Sequence, residues 1–472
     1  MKMKSIVSLV VVATLVLGWV LFNREGPEIQ QADEAVKSYQ LSNGMKVLVI
    51  ENHRAPVVVS QVWYKVGASY EHDGITGVSH VLEHMMFKGT KKYPAGEFSE
   101  IVAANGGEEN AFTGQDYTAY FQKIANDRLE LCLELEADRM RNLVFHEKEF
   151  LKEIEVVKEE RRLRTDDKPF ALTYERFNAV AFTNSPYRRP IIGWMEDLDT
   201  LTVEDAREWY ETWYAPNNAT LVVAGDVVAE DVFQLAKQYF GQLTTSEVPT
   251  LKPRREARQY GTQRLTIEVP AKIPYLIMGY KAPVLTPELV DSEEEWEMYA
   301  LEVLAGVLDG GSSARLSNNL VRGQQIANSA SASYGMSARH ETLFVLSAVP
   351  NDEVEIDVLE FALREEVNTI KTQLPEGDEL ERVKAQVVAA QIYQQDSTFY
   401  QAMEVGMLDT IGLPWQIKDD YVKKILAVTA EQVQLVANKY LTDERLTVAV
   451  LDPLPIENNN EPTLAAGENH DQ

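Results

Sequence analysis

Cysteine is almost missing from this chain: Cys132 is the single one in 472 residues. That excludes an intramolecular disulfide, a cysteine-rich zinc site and a dithiol redox motif. Any life outside the cytoplasm would then rest on core packing alone. Positive charge is also short, with 45 Lys and Arg against 73 Asp and Glu and a net charge of −28. Nucleic acid is excluded as a partner, because phosphates demand a basic surface. An acidic surface steers basic or neutral peptides inward, though weakly, since screening acts over about 8 Å at physiological salt. With 45% hydrophobic and 25% charged residues, collagen-like, coiled-coil and wholly disordered chains are excluded as well. The length is too great for one core and predicts two domains of about 200 residues each.

Lys2 and Lys4 precede an apolar run over residues 5–22. Eighteen residues of helix span roughly 27 Å, near the thickness of a bilayer's hydrocarbon layer. Residues 1–37 are therefore expected to be a signal peptide or an uncleaved membrane anchor followed by a tether. The basic flank places the body outside the cytoplasm, in the periplasm or held at the inner membrane of a bacterium.

The body divides into two halves. Residues 39–50 read as a hairpin turning at Asn43-Gly44. Strands are expected at 57–66 and 118–124, and long helices at 126–143 and 147–165. The first half closes with a helix, a turn and a buried strand, from Thr202-Val-Glu-Asp to Gly225-Asp226. The same pattern recurs about 227 residues later, from Thr429-Ala-Glu-Gln to Leu451-Asp452. The chain therefore reads as a duplicated α+β unit. The expected boundaries are a first domain at 38–243, a Pro-containing basic linker at 244–258, a second domain at 259–455 and a disordered polar tail at 456–472. The second domain is expected to start with strands at 264–269 and 274–281.

Only seven histidines occur, and two stand in His80-Val-Leu-Glu83-His84. Positions i and i+4 share one helical face, so both imidazoles can reach one metal ion. Glu83 is close enough to address a water on that ion. The order His-x-x-Glu-His inverts the usual zincin spelling. A catalytic zinc needs a third protein ligand and an open position. The candidates lie in the stretch running from Glu153 through Glu159 and Glu160 to Arg164. Glu153 and Glu160 are two turns apart on one helical face, while Glu159 rivals Glu160 by register alone.

These residues carry a family resemblance. The chain resembles the inverted-zinc metallopeptidases that include pitrilysin, insulin-degrading enzyme and the mitochondrial processing peptidase, in particular the short bacterial members. The matching motifs run from His80 to Thr90, then Asn105-Gly-Gly, then Asn110-Ala111-Phe112-Thr113, then Glu153 to Arg164. The resemblance covers residues 39–453. It implies an α+β fold of two homologous domains, each a mainly antiparallel sheet with helices packed on one face. It implies one Zn2+ per chain held by His80, His84 and Glu160, with Glu83 as general base and Glu153 in support. It further implies that residues 110–113 form an edge strand to which peptide substrates add as an extra strand. The activity implied is zinc-dependent endopeptidase hydrolysis; the alternative is a non-catalytic scaffold or assembly subunit.

The second half departs from the family pattern. Arg322 matches the arginine that contacts substrate across the chamber, but the accompanying tyrosine position holds Asn328, with Tyr334 nearby. This substitution predicts a homologous partner subunit, the chain being the zinc-bearing half of a heterodimer. A homodimer is the other arrangement open to duplicated domains.

Overall fold

The structure, a computed structural model, describes residues 36–252 and 254–456. The apolar run at 5–22 and all but the first residue of the expected tail lie outside the described residues. Among the described residues, no helix is long and apolar enough to cross a membrane.

The first sheet contains β1 (Lys37–Gln40), β2 (Lys46–Glu51), β3 (Val57–Tyr64), β4 (Glu108–Thr113), β5 (Thr118–Ala125) and β6 (Ala219–Gly225). Their order is β1-β2-β6-β3-β5-β4, with only β2 and β6 parallel. The expected hairpin is β1–β2. Gly44 turns it at φ +90, where a side chain would be strained. The neighbouring Asn43 amide donates to the carbonyl of Phe240 at 2.7 Å, tying the turn to the body.

The second sheet contains β7 (Gln263–Pro270), β8 (Tyr275–Ala282), β9 (Ala327–Ser333), β10 (Thr342–Pro350) and β11 (Leu446–Leu454), ordered β7-β11-β8-β10-β9. Again a single pair, β7 with β11, is parallel. Without β1, the two sheets have the same topology, β2 answering to β7 and β4 to β9. The closing helices Val203–Trp213 and Ala430–Tyr440 begin with equivalent capping boxes, Thr202 with Asp205 and Thr429 with Gln432. The offset between these caps is 429 − 202 = 227. Such boxes satisfy backbone donors that a helix start leaves open. Between Tyr239 and Gln263 the described residues form no helix or strand.

Strands β2, β3 and β6 of the first sheet and β8 and β11 of the second carry buried apolar residues on both faces. In β2, Val47 and Val49 join the core formed with the first half's own helices, while Leu48 and Ile50 face the other way. That second face is covered by the helix Thr398–Thr410 of the second half, through Ala402 and Val405. The arrangement is reciprocal. The helix Pro169–Ala181 of the first half lays Phe177 and Ala181 on Ile277, Ala449 and Leu451 of the second sheet. Each half therefore packs its own helices on one face of its sheet and lends one helix to the opposite face of the other sheet.

Candidate metal centre and cleft

The helix Val78–Met85 buries Val78, Val81, Leu82 and Met85, which leaves His80, Glu83 and His84 on its other side. Its start is held by a residue that the motif does not contain. Glu71 is 2% exposed. Its carboxylate accepts the backbone N–H of Gly77 at 2.8 Å and of Ser79 at 2.9 Å. Burial pushes its pKa up to about 7, against the pull of those two donors. Gly77 itself has φ +89 and offers no side-chain cap. Nothing in its spacing marks Glu71 as a cap, because it lies six residues before the helix-starting glycine.

The acidic residues come from the helix Glu147–Arg161. The neighbouring Arg161 fixes its end, with a fork onto Glu175 at 2.7 and 2.9 Å and a hydrogen bond to the carbonyl of Gly193 at 2.8 Å. Gly193 in turn packs on Gly77, where a Cβ on either residue would come within 3.0 Å of the other's Cα. Two glycines thus allow the two site helices to be tied together through one short segment.

The geometry assembles the expected set. Glu160 Oε2 lies 3.8 Å from His80 Nε2 and 3.4 Å from His84 Nε2. One potential ligand atom from each of these residues lies within 4.8 Å of the others. Glu159 points away, its side chain 59% exposed and paired with Arg162. Glu153 stands behind His84, with Oε2 3.3 Å from Nδ1 and Oε1 2.6 Å from Lys88 Nζ. This is the arrangement in which an outer carboxylate orients a metal-binding imidazole.

Burial, with the neighbouring His84 and Arg164 in second place, holds the His80 pKa down to about 3. The ring is therefore neutral at pH 7, with a lone pair free for a cation. Glu83 is shifted the opposite way, its pKa raised by burial despite a 2.5 Å hydrogen bond from Thr113 Oγ1. A carboxylate raised in this way is a better proton acceptor near neutral pH. Two imidazole nitrogens, one carboxylate oxygen and an open side form a donor set that suits zinc.

Residues 110–113 form the end of β4, which is paired on one side with β5 and is the last strand of its sheet. The N–H of Ala111 is turned from β5 and taken by the Asn110 side chain at 2.8 Å. All four residues line a cavity of about 770 Å3 together with His80, Glu83, His84 and Glu160. A second cavity of about 640 Å3 shares Gln115, Tyr174, Asn178, Tyr187 and Ile191 with it and continues to Ser333 and Tyr334 of the second half. Arg322 lines neither cavity; its guanidinium bonds to the carbonyl of Ser312 and to Asn318. Asn328 also lines neither, and the Tyr334 hydroxyl donates to the carbonyl of Pro283 at 2.7 Å.

The family model described as insulinase, peptidase family M16, matches residues 46–194, and the model described as the peptidase M16 inactive domain matches residues 200–387. The chain belongs to peptidase family M16. Among its relatives is the zinc protease PqqE of Helicobacter pylori, 32% identical over 88% of this chain and 93% of that protein. A probable beta subunit of the mitochondrial-processing peptidase of Arabidopsis thaliana is 25% identical over 88% of this chain and 78% of its own length. The crystal structure of a protease from Helicobacter pylori superposes with a TM-score of 0.83 at 30% identity, covering 89% of this chain and all of that one. His80, Glu83, His84 and Glu160 all lie within residues 46–194, the range matched by the insulinase model. Among the described residues, His80, His84 and Glu160 form the one group of three able to hold a metal.

Proposed function

We propose that the chain is a zinc-dependent endopeptidase acting on peptides or unfolded segments. The observation that carries this reading is the convergence of His80, His84 and Glu160 within 4.8 Å, with Glu83 on the same helix. His80, His84 and Glu160 would hold one zinc ion, which when bound supplies Lewis acidity and lowers the pKa of water to about 7. Glu83 takes the proton of the attacking water and returns it to the departing amine nitrogen. Thr113, the last residue of β4, holds the Glu83 carboxylate through its hydroxyl at 2.5 Å. Exchange of Asn110's side chain for a substrate carbonyl at the Ala111 N–H would dock the peptide as an added strand.

Glu83→Gln is expected to retain zinc, measured by metal analysis, while hydrolysis of a quenched peptide falls by about 10²–10⁴-fold. Wild-type turnover in that variant would refute the role of Glu83. A non-catalytic scaffold, the other reading open on sequence, is disfavoured by the assembled ligand set.

Two further readings belong with this one. The run at 5–22 supports export, with the body in the periplasm or at the inner membrane of a bacterium, and recovery of the tagged chain wholly in the cytosol would contradict it. The place of Arg322 outside the cleft supports a partner that completes it, in a heterodimer or a homodimer. Full activity of a strictly monomeric chain in sedimentation would dismiss the partner.

A further inference from the structure

We infer that the cleft selects peptides carrying an acidic side chain within two residues of the cleaved bond, recognised by Arg164 and Arg188. The inference rests on the peptidase reading above and names the substrate class of that same site. In a chain with a net charge of −28, a concentration of guanidinium groups at one place is informative.

The cavity wall holds three arginines, Arg164, Arg188 and Arg189, and three glutamates. The glutamates are committed. Glu83 accepts from Thr113, Glu175 is gripped by Arg161, and Glu160 Oε2 faces both imidazoles. The arginines are not equally committed. Arg189 is buried, with Nε on Asp73 at 2.8 Å and NH1 on the Glu71 carbonyl at 3.0 Å. Arg188 shares the same carboxylate at 2.8 Å from an exposed position, its side chain 39% and Asp73 67% accessible. Arg254 also lies close enough to lower the Asp73 pKa, so one carboxylate faces three guanidiniums. An exposed pair of this kind is weak and exchangeable.

Arg164 stands in the π-helical turn Arg162–Asp166, which continues the helix of Glu153 and Glu160. One of its nitrogens meets Glu160 Oε1 at 2.7 Å, the oxygen turned from the imidazoles, while its side chain remains 75% exposed. The side chain lines the cavity beside Glu160. A guanidinium offers a carboxylate two parallel charge-assisted hydrogen bonds, which an amide or ammonium side chain cannot match. A basic side chain in the same place would meet no uncommitted acid. The overall negative charge opposes an acidic peptide only at long range, where salt screens it. Contact chemistry therefore reverses the preference for basic or neutral peptides expected from net charge.

The test uses the zinc-loaded full-length chain and three quenched peptides identical except for Asp, Asn or Lys, placed in turn at the two positions on each side of the cleaved bond. Cleavage sites are mapped by mass spectrometry. At one position at least, the expected kcat/KM for Asp exceeds that for Asn by about tenfold, with Lys lowest. Arg188→Glu should reverse the order of Asp and Lys at unchanged zinc content, and Arg164→Gln should narrow the ratio of Asp to Asn. A merely structural role would lower all three peptides in equal proportion. Equal kcat/KM for the three peptides at every position, or wild-type ratios in both variants, would overturn the inference while leaving the peptidase reading intact. Hydrolysis of none of them by zinc-loaded protein, both alone and together with any chain that co-purifies with it, would overturn both.

Discussion

His80 and Glu71, within ten residues of each other, are perturbed in opposite directions by the same cause. Burial removes the charged form of His80 and holds its pKa at about 3, below the ordinary 6.5. In metal-free protein, the unfolded chain then binds a proton that the folded chain refuses. Stability from this residue is complete above pH 6.5 and is lost as the pH falls towards 3. Glu71 is raised to about 7 from 4.5, so its contribution is complete below pH 4.5 and is lost as the pH rises through 7. Between pH 4.5 and 6.5 the two slopes oppose each other, each at most about 1.4 kcal/mol per pH unit. His80→Asn removes one of them. Chelated variant protein should therefore lose stability relative to wild type as the pH rises across that window, measured by urea unfolding at several pH values. Parallel curves for variant and wild type would show that His80 is not a neutral buried ring. The His-x-x-Glu-His spelling makes the meeting of His80 and His84 legible in the sequence, because a helix face converts spacing directly into proximity. Glu71 is not legible in this way. Its function depends on where a loop returns, which no local periodicity encodes.

At the scale of elements, the sheets were legible where strands carry turn signals, and the paired closing helices where capping boxes repeat. The choice of Glu160 over Glu159 rested on register and the family resemblance alone, since one residue of register turns a carboxylate by about 100° around a helix. The packing of the Glu147–Arg161 helix against the histidine helix settles the direction. Phe150, Glu153, Ile154, Val157 and Arg161 are buried, and Glu160 lies on the border of that face. The edge strand allows a direct test. Because the Ala111 N–H points away from β5 and meets only the Asn110 side chain among the hydrogen bonds described, Ala111→Pro removes a substrate donor and no ladder bond. Proline is tolerated on an edge strand in that orientation. The variant should fold and hold zinc, while kcat/KM for an extended peptide falls at least about tenfold, the weight of one lost and unreplaced hydrogen bond. Unchanged kcat/KM would show that substrate does not add to β4.

Taken as a whole, the molecule is knitted by exchange. Leu48, Ile50, Val59, Trp63 and Val222 on the first sheet find their cover in the helix Thr398–Thr410, and Ile277, Ala449 and Leu451 on the second find theirs in Pro169–Ala181. This exchange was hidden in the sequence because a strand apolar on both faces does not say which distant helix covers it. Two glycines mark how close the contacts are. A Cβ on Gly406 would lie 2.2 Å from Trp63 Nε1, and one on Gly279 would lie 2.4 Å from Phe177 Cζ. Polar groups add direction, with Thr220 Oγ1 donating to the buried Asp409 at 2.6 Å. Separate halves cut in the linker would each expose an apolar sheet face, so each is expected to aggregate when expressed alone, a folded unit normally covering such a surface. Co-expressed halves should associate, because every contact between them is non-covalent. Gly406→Ala in the intact chain should destabilise it by about 1–3 kcal/mol through overpacking against Trp63. The same substitution should weaken association of the co-expressed halves, measured by pull-down, although Gly406 lines neither cleft cavity. A first half that is soluble, monomeric and cooperatively folded on its own would contradict the exchange, whatever its zinc content.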